Sequence, residues 1–426
     1  MIHAIGAVDL QVTRVTTEVA FRALEREWGI LFSQANGTIF QSFEWLWNWW
    51  RFFGGGRTLH CLLFRNGSTL VGIAPMFQEH VTLGGVRLVT RLQFLGHRLS
   101  DYLDFLILPG FERPVLHRFV EELAKTPQEW HLLDLEEIPE HSPTCSILAE
   151  VLAGTGARVY AHPLSVCPRM TLPGSWDTLL SGLGPETRQG IRRKLKRLRE
   201  KHSMSVEVMT STSDDLQHGI GLFSDIHQNR WHSLGHPSAF EHPDLRAFHT
   251  EVARGFAARG WLRLYIMRAN GAPVASAIIY ALHNVAYMYQ CNAYAPPPVM
   301  RLSPGMILKA LSMEDAIGNG QTVYDFLRGD EAYKTREWKA TPATNRMIRG
   351  VAPATGRIRF VLFLIVEFLG KSRGRILMEI YEFRRFKLSS PSSLSTPLSY
   401  ISSRAATILL VAREFFHRYF TTRGPR

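Results

Sequence analysis

The residue types best suited to chemistry gather between positions 290 and 334. Gln290 and Asn292 place two side-chain amides near the end of an apolar strand, Val285–Ala293. Arg301-Leu302-Ser303-Pro304-Gly305-Met306 then opens a segment whose apolar positions Ile307, Ala310, Leu311 and Ile317 recur at helical spacing. Ser303 suits the N-cap and Pro304 the first helical position. Free amides and the helix dipole make such a start a site for a phosphate or pyrophosphate, and Gly305 permits close approach. Asp325 lies on the next strand, Val323–Leu327, followed by Asp330, Glu331 and Tyr333. These are carboxylates and a hydroxyl able to orient a group or move a proton. Arg328 and Lys334 are placed either to bind an anionic substrate or to pair with Asp330 and Glu331.

Positioning these residues requires a compact α+β unit. Trp261–Arg268 and Pro273–Leu282 flank Asn270-Gly271, a tight hairpin signature, and a helix over Leu245–Ala258 precedes them. The same pattern occurs earlier: a helix over Phe43–Phe53, an apolar strand, Asn66-Gly67, then a second apolar strand. The two Asn-Gly turns stand 204 residues apart, and the pattern predicts a duplicated domain. The proline-rich stretch from Pro163 to Pro173 separates the copies, giving domains over 1–165 and 166–350. Residues 351–426 form a basic tail with apolar helices at Phe360–Leu369 and Ile408–Phe420, joined by the Ser389–Pro397 low-complexity linker.

The net charge of +12 is concentrated in that tail, which holds 13 Lys/Arg against 4 Asp/Glu. The asymmetry points to an anionic contact such as a membrane surface rather than to nucleic-acid binding by the whole chain. No signal peptide or bilayer-spanning run is evident, and four scattered cysteines argue against a zinc site, so the expected location is the cytoplasm. No metal is expected: Gly235 and Pro237 interrupt any helix that would align His232 with His236. A helix around Ile191, Leu195 and Leu198 carries eight basic residues, including Arg192, Arg193 and Lys194. It reads either as a solvated face or as a holder of phosphate groups. Asp101, Asp104, His227 and His232 are further candidates for a cleft between the copies, against the plainer reading of turn formers and structural histidines.

This order of elements resembles the GNAT fold. The wording of Arg301–Leu308 and Tyr324–Lys334, with Trp176 before Arg188–Leu195, resembles its BioF2-like or CelD-like branch, related to FemAB-type transferases. Phe40–Leu46, Phe94–Gly96 and Ser100–Asp104 resemble it in the first half. The resemblance covers about residues 20–350. It implies tandem GNAT-like domains, each a mixed twisted sheet flanked by helices, with chemistry in the second. It also implies an acyltransferase that moves an acetyl or other acyl group from acyl-CoA to an amine or hydroxyl. The acceptor would be a small-molecule or lipid-linked sugar, such as a cell-envelope or exopolysaccharide precursor. Arg301, Ser303, Gly305 and Met306 would hold the cofactor. Asp325, Asp330 and Tyr333 would be catalytic, and Arg328, Lys334, Gln290, Asn292, Arg192 and Arg193 would bind substrate. In the general Q/R-x-x-G-x-G/A frame, Pro304 and Met306 occupy the small-residue positions, with Gly305 between them. FemAB-like relatives also lose the frame, and some take aminoacyl-tRNA, which leaves that donor as the alternative. A non-catalytic binding subunit of a polysaccharide-biosynthesis assembly, attached by the tail at the inner membrane, is a third reading.

Overall fold

The computed structural model describes residues 9–83, 85–212, 214–353 and 358–367. The tail features beyond 367, including the linker and the Ile408–Phe420 helix, lie outside the described residues. The first half contains β1 (Gln11–Val15), α1 (Glu25–Gln34), α2 (Phe43–Phe53), β2 (Cys61–Asn66), β3 (Thr69–Ala74), β4 (Met76–Leu83), β5 (Val86–Phe94), α3 (Glu112–Lys125) and β6 (Leu132–Pro139). Then come β7 (Arg158–Val166), β8 (Arg169–Thr171) and the basic helix α4 (Pro185–His202). The second half repeats the order with β9 (Ser205–Met209), α5 (Asp214–Ser233), α6 (Pro243–Ala258), β10 (Leu262–Ala269), β11 (Ala272–Leu282), β12 (Val285–Ala293), α7 (Pro304–Gly318) and β13 (Val323–Asp325). Strand β14 (Thr344–Val351) closes the described sheets.

The duplication extends to local detail. β1 pairs antiparallel with β2, and β9 with β10. A 3-10 turn precedes α2 at Ile39–Gln41 and α6 at Ala239–Glu241. In each, the backbone N–H of the residue before the turn donates to the side chain of the last, Thr38 to Gln41 and Ser238 to Glu241, both at 3.0 Å. In the second hairpin Asn270 and Gly271 adopt φ of 52° and 79°, the left-handed backbone that an Asn-Gly pair supplies at little cost. The copies differ where Pro75 falls. Lacking an N–H, proline interrupts the ladder, and β3 and β4 enter different sheets, whereas β11 runs unbroken.

One six-stranded sheet has the order Thr58–Leu59, β4, β5, β6, β14, β7, and the other β8, β13, β12, β11, β10, β9. The chain crosses between them at Cys167-Pro168. β14 crosses back, pairing with β6 and with all of β7. This departs from the partition read from the sequence, which put 344–350 with the second domain. Strand patterning identifies a strand but not the sheet that accepts it.

Two cores separate the faces of the second sheet. On one face α5 and α6 pack through Phe223, Phe248 and Phe256 into a core continuous with the first half, where Trp45 contacts Phe248 at 5.0 Å between ring centroids. On the other face α4 and α7 pack through Ile191, Leu198, Ile307 and Leu308. Alternation along β13 therefore sends Tyr324 toward α7, where its hydroxyl meets Ser312 Oγ at 2.8 Å, and Asp325 toward the first half.

The helical stretch at 358–367 docks on the first half's sheet through Phe360, Phe363 and Leu364. Arg349, buried, anchors it by pairing with Asp134 at 2.6 Å and Glu367 at 3.2 Å. Its outward positions Ile358, Val361, Leu362 and Ile365 are exposed. No described helix is long and apolar enough to cross a membrane.

Candidate active site

The start of α7 has the form of an anion cradle. Ser303 takes a left-handed conformation, φ 51° and ψ 59°, and its carbonyl accepts from the N–H groups of Met306 and Ile307. Its side chain does not cap the helix, contrary to the expectation; Ser303 Oγ instead accepts from Lys194 Nζ of α4 at 2.9 Å. The first turn holds no acid, and the Gly305 amide has no backbone acceptor among the described residues. A Cβ on Gly305 would stand 3.3 Å from that of Ala293, so glycine keeps the helix close to the end of β12. Arg301 is exposed and Met306 half-buried. Of the basic helix, Lys194 reaches this start, while Arg192 and Arg193 face solvent.

Beside the cradle the sheet opens. β12 and β13 run parallel only from Val285↔Val323 to Tyr287↔Asp325. β12 continues to Ala293, but the other chain turns toward the first half, with the Phe326 N–H donating to Pro168 O and that of Gly329 to Val166 O. On the α7 side of this wedge Lys309 lies 4.0 Å from the Tyr333 ring centroid. Burial raises the Tyr333 hydroxyl above its ordinary value, and the Lys309 ammonium pulls it back. Burial works against charge on Lys309, yet Cys291, Tyr333 and Glu331 raise it overall. On the opposite face Gln290 and Asn292 are half-buried, and Gln290 Oε1 and Asn292 Nδ2 have no hydrogen-bond partner among the described residues.

Asp325 sits on the face opposite α7, in the contact between the halves. Its carboxylate accepts from Tyr102 Oη at 2.7 Å and the Leu327 N–H at 2.8 Å, and pairs with Arg169 Nε at 2.8 Å. Burial raises its pKa, against the pull of Arg169 and Tyr102. A carboxylate so occupied is a fixed point for its neighbours more than a free base.

Three expected roles change. Lys334 is buried, and its ammonium faces the carbonyls of Leu327, Arg328 and Gly329 at 3.0–3.2 Å and Glu331 at 2.9 Å. With three donors and four acceptors it has nothing to offer a substrate and instead ties the loop after Asp325. Arg328 pairs with neither Asp330 nor Glu331. It reaches Asp101 at 3.1 Å and Glu137 at 2.8 Å in the first half. Glu137 and Leu327 hold left-handed φ of 61° and 55°, bends that flank this clasp. Asp330 is exposed, with no ion pair among the described residues, so nothing places it at the wedge or the interface.

Among the weaker candidates, Asp104 accepts from Ser142, from Thr144 at 2.7 Å and from the Phe105 N–H, which makes it a local brace. Burial pushes it to about 6 and Asp101 to about 7. His227 bonds Ser238 at 2.7 Å and His232 bonds Glu241, joining α5 to the turn before α6. Sequence reasoning put Lys194 on a helix able to hold phosphate groups but not its contact with Ser303, and it missed the roles of Lys309, Tyr102 and Arg169.

A cavity of about 500 Å³ lies between the halves, lined by Arg169, His141, Thr38, Tyr287, Asp325 and Thr341 among others. A smaller one of about 210 Å³ shares Thr38, Pro139 and His141 with it.

Residues 185–335 match the acetyltransferase (GNAT) domain family, a span that includes α4, the α7 cradle and Tyr333. This segment belongs to the GNAT family. Over a span wider than the GNAT segment, the structure is similar to that of FemX, with a TM-score of 0.58 and 11% identity, covering 83% of this chain and 99% of that one. A conserved protein of unknown function from Bacteroides thetaiotaomicron VPI-5482 gives a TM-score of 0.51 at 11% identity, covering 80% and 100%. These likenesses show the fold; with the GNAT match to the second half and the repeated element order, it is a tandem GNAT-like α+β architecture. No curated protein matches the chain in sequence.

Proposed function

We propose that the protein transfers an acetyl or other acyl group from acyl-CoA to an amine or hydroxyl acceptor. The observation that carries this reading is the acid-free start of α7, with the Gly305 amide, which has no acceptor among the described residues, and Lys194 Nζ on Ser303, inside the segment that matches the GNAT family. Gly305 and Lys194 would hold the pyrophosphate. The acyl-bearing thiol would lie in the wedge between β12 and β13. The acceptor would attack the thioester carbonyl and the C–S bond to CoA would break. The leaving thiolate would take a proton from Tyr333, and the acceptor's proton, released to solvent, would be balanced by solvent re-protonating Tyr333. Gln290 and Asn292, with unpaired amide atoms, would orient the acceptor from the β12 face.

The acceptor class we favour is a sugar or cell-envelope precursor, in keeping with the BioF2-like and CelD-like wording of the sequence. The exposed Arg192 and Arg193 favour one second reading, an aminoacyl-tRNA donor, since they present charge that the cradle does not use. Calorimetry with acetyl-CoA on the full chain separates the two. Binding that weakens in Lys194→Ala supports the first; no acetyl-CoA binding together with tight charged-tRNA binding overturns it. Absence of both would favour a non-catalytic subunit.

We also place the protein at the periphery of an anionic membrane, through the basic tail and the outward apolar face of 358–367. Equal sedimentation of the wild type and Val361→Asp with anionic vesicles would remove that face from the contact.

A further inference from the structure

The cavity between the halves contains an arginine held in an unusual way. Arg169 Nε is fully engaged, 2.8 Å from Asp325 Oδ2 and 3.2 Å from Tyr102 Oη. Its guanidinium carbon stands 4.8 Å from the Tyr102 ring centroid, so the plane is held by the ring as well as by the two oxygens. Nη1 and Nη2 make no hydrogen bond to any described residue, and the side chain is one-third exposed where it lines the cavity. A guanidinium anchored through Nε, with its outer nitrogens free, is pre-oriented for two parallel hydrogen bonds to one anionic group.

The rest of the wall suits the polar body of such a ligand. Thr38, Thr171 and Thr341 offer hydroxyls, and Tyr287 an aromatic surface. The neighbouring His141 is held below its ordinary pKa by burial and by Arg169, so it stands neutral and able to donate or accept. At about 500 Å³ the space falls within the range of small-molecule sites. Every element of this arrangement spans the duplication: Tyr102, Thr38 and His141 come from the first half, Tyr287 and Asp325 from the second, and Arg169 from the crossing strand β8.

We infer that this cavity is a binding site for an acceptor carrying a carboxylate or phosphate group, held by the two Nη atoms of Arg169. Its assignment to the acceptor rests on the proposed acyl transfer; its assignment to an anion does not. Asp325 and Tyr102 are then positioning residues that fix the arginine.

The test measures binding to the full chain, without acyl-CoA, so that failure of the acyl-transfer reading leaves the result interpretable. Probes are glucose 6-phosphate, glucuronate and glucose, titrated by calorimetry in a buffer free of phosphate and carboxylate. At least one anionic sugar should bind while glucose does not, and which of the two binds identifies the anionic group. Arg169→Gln should weaken that binding by about tenfold to a hundredfold, the scale of hydrogen bonds to a charged partner. Arg169→Lys, which keeps the charge but loses the fork, should fall between the two and guards against misfolding of the glutamine variant. Lys194→Ala, at the donor cradle, should leave the affinity unchanged. Binding of glucose as tight as that of the anions, binding of no probe, or full affinity in both Arg169 variants would overturn the inference. Loss in Lys194→Ala with retention in the Arg169 variants would do the same, by moving the anion to the start of α7.

Discussion

Helices α3 and α7 occupy equivalent places in the two halves, each between a long antiparallel strand and a strand parallel to it, yet their first turns are opposites. α3 begins with Glu112, whose carboxylate accepts from the Gly110 N–H at 2.8 Å and cancels the positive end of the helix. The chain leading to it is buried, with Ser100, Tyr102, Leu103 and Phe105 filling the space. α7 begins with no acid, a glycine and a lysine directed at its N-cap. The neighbouring strands differ in the same sense. β6 is eight residues long and flanked by β14 along most of it, whereas β13, flanked by β8, spans three residues and leaves the edge of β12 unpaired beyond Tyr287. On the proposed function, one copy stays open for a ligand and the other is closed into a frame that braces it through Tyr102, Asp101 and Glu137.

The largest effect should come from breaking the brace. Arg328→Met leaves buried Asp101 without its ion pair and Glu137 with only Ser165 and Asn345 as partners among the described residues. Since Arg328 is partly exposed, the change should destabilise the fold by about 2 kcal/mol, measured by denaturant unfolding. The pH dependence has a definite sign. Burial raises Asp101 from 3.8 to about 7, so between these values the folded form holds a proton that the unfolded form releases. Its contribution therefore falls as pH rises through that window. Removing Arg328, which pulls the pKa down, should extend the fall to higher pH. Stability in Arg328→Met that matches the wild type across this range would show the halves to be held elsewhere.

The next test makes α7 resemble α3. Met306→Glu puts an acid in the first turn, as Glu112 does, and should weaken acyl-CoA binding by about tenfold or more. Glu112→Gln, the reverse change in the closed copy, should leave that binding as it was. Equal losses from both would mean that the two starts share one role. Tyr333→Phe should then lower kcat by about tenfold to a hundredfold with acyl-CoA affinity retained. An unchanged kcat would leave Tyr333 as packing for Lys309.

Much of this contrast was legible in the sequence, and the rest was not, for a physical reason. The Asn-Gly hairpins, the helix after Pro304 and the proline-marked crossing are local patterns, fixed by turn chemistry and periodicity over a few residues. The paired turns at Thr38–Gln41 and Ser238–Glu241 were equally local signals of duplication and would have strengthened it. The interactions that decide roles are not local. Lys194 meets Ser303 across 109 positions and Tyr102 meets Asp325 across 223. Lys334 looked available because its three carbonyl acceptors are backbone groups, invisible in residue types. Glu331, read as its partner, accounts for one of four contacts.

The finest distinction concerns Asp325, which the sequence suggests as a catalytic base and the structure surrounds with donors. A base must take up a proton, and here three of the carboxylate's acceptor sites are already occupied, by the Leu327 N–H on Oδ1 and by Tyr102 and Arg169 on Oδ2, so protonation would remove the charge that holds Arg169. A positioning carboxylate keeps all three throughout turnover. The two roles separate in kinetics. Asp325→Asn retains an oxygen for Leu327 or Tyr102 but weakens the hold on Arg169, so KM for an anionic acceptor should rise by about tenfold while kcat changes by less than about threefold. A base would give the opposite split, a kcat lower by about a hundredfold or more at unchanged KM. Because acyl-CoA is held at the far face, by α7, its affinity should not move in either case. A change there would mean that the interface and the cradle communicate through β13, the one strand that carries both Tyr324 and Asp325.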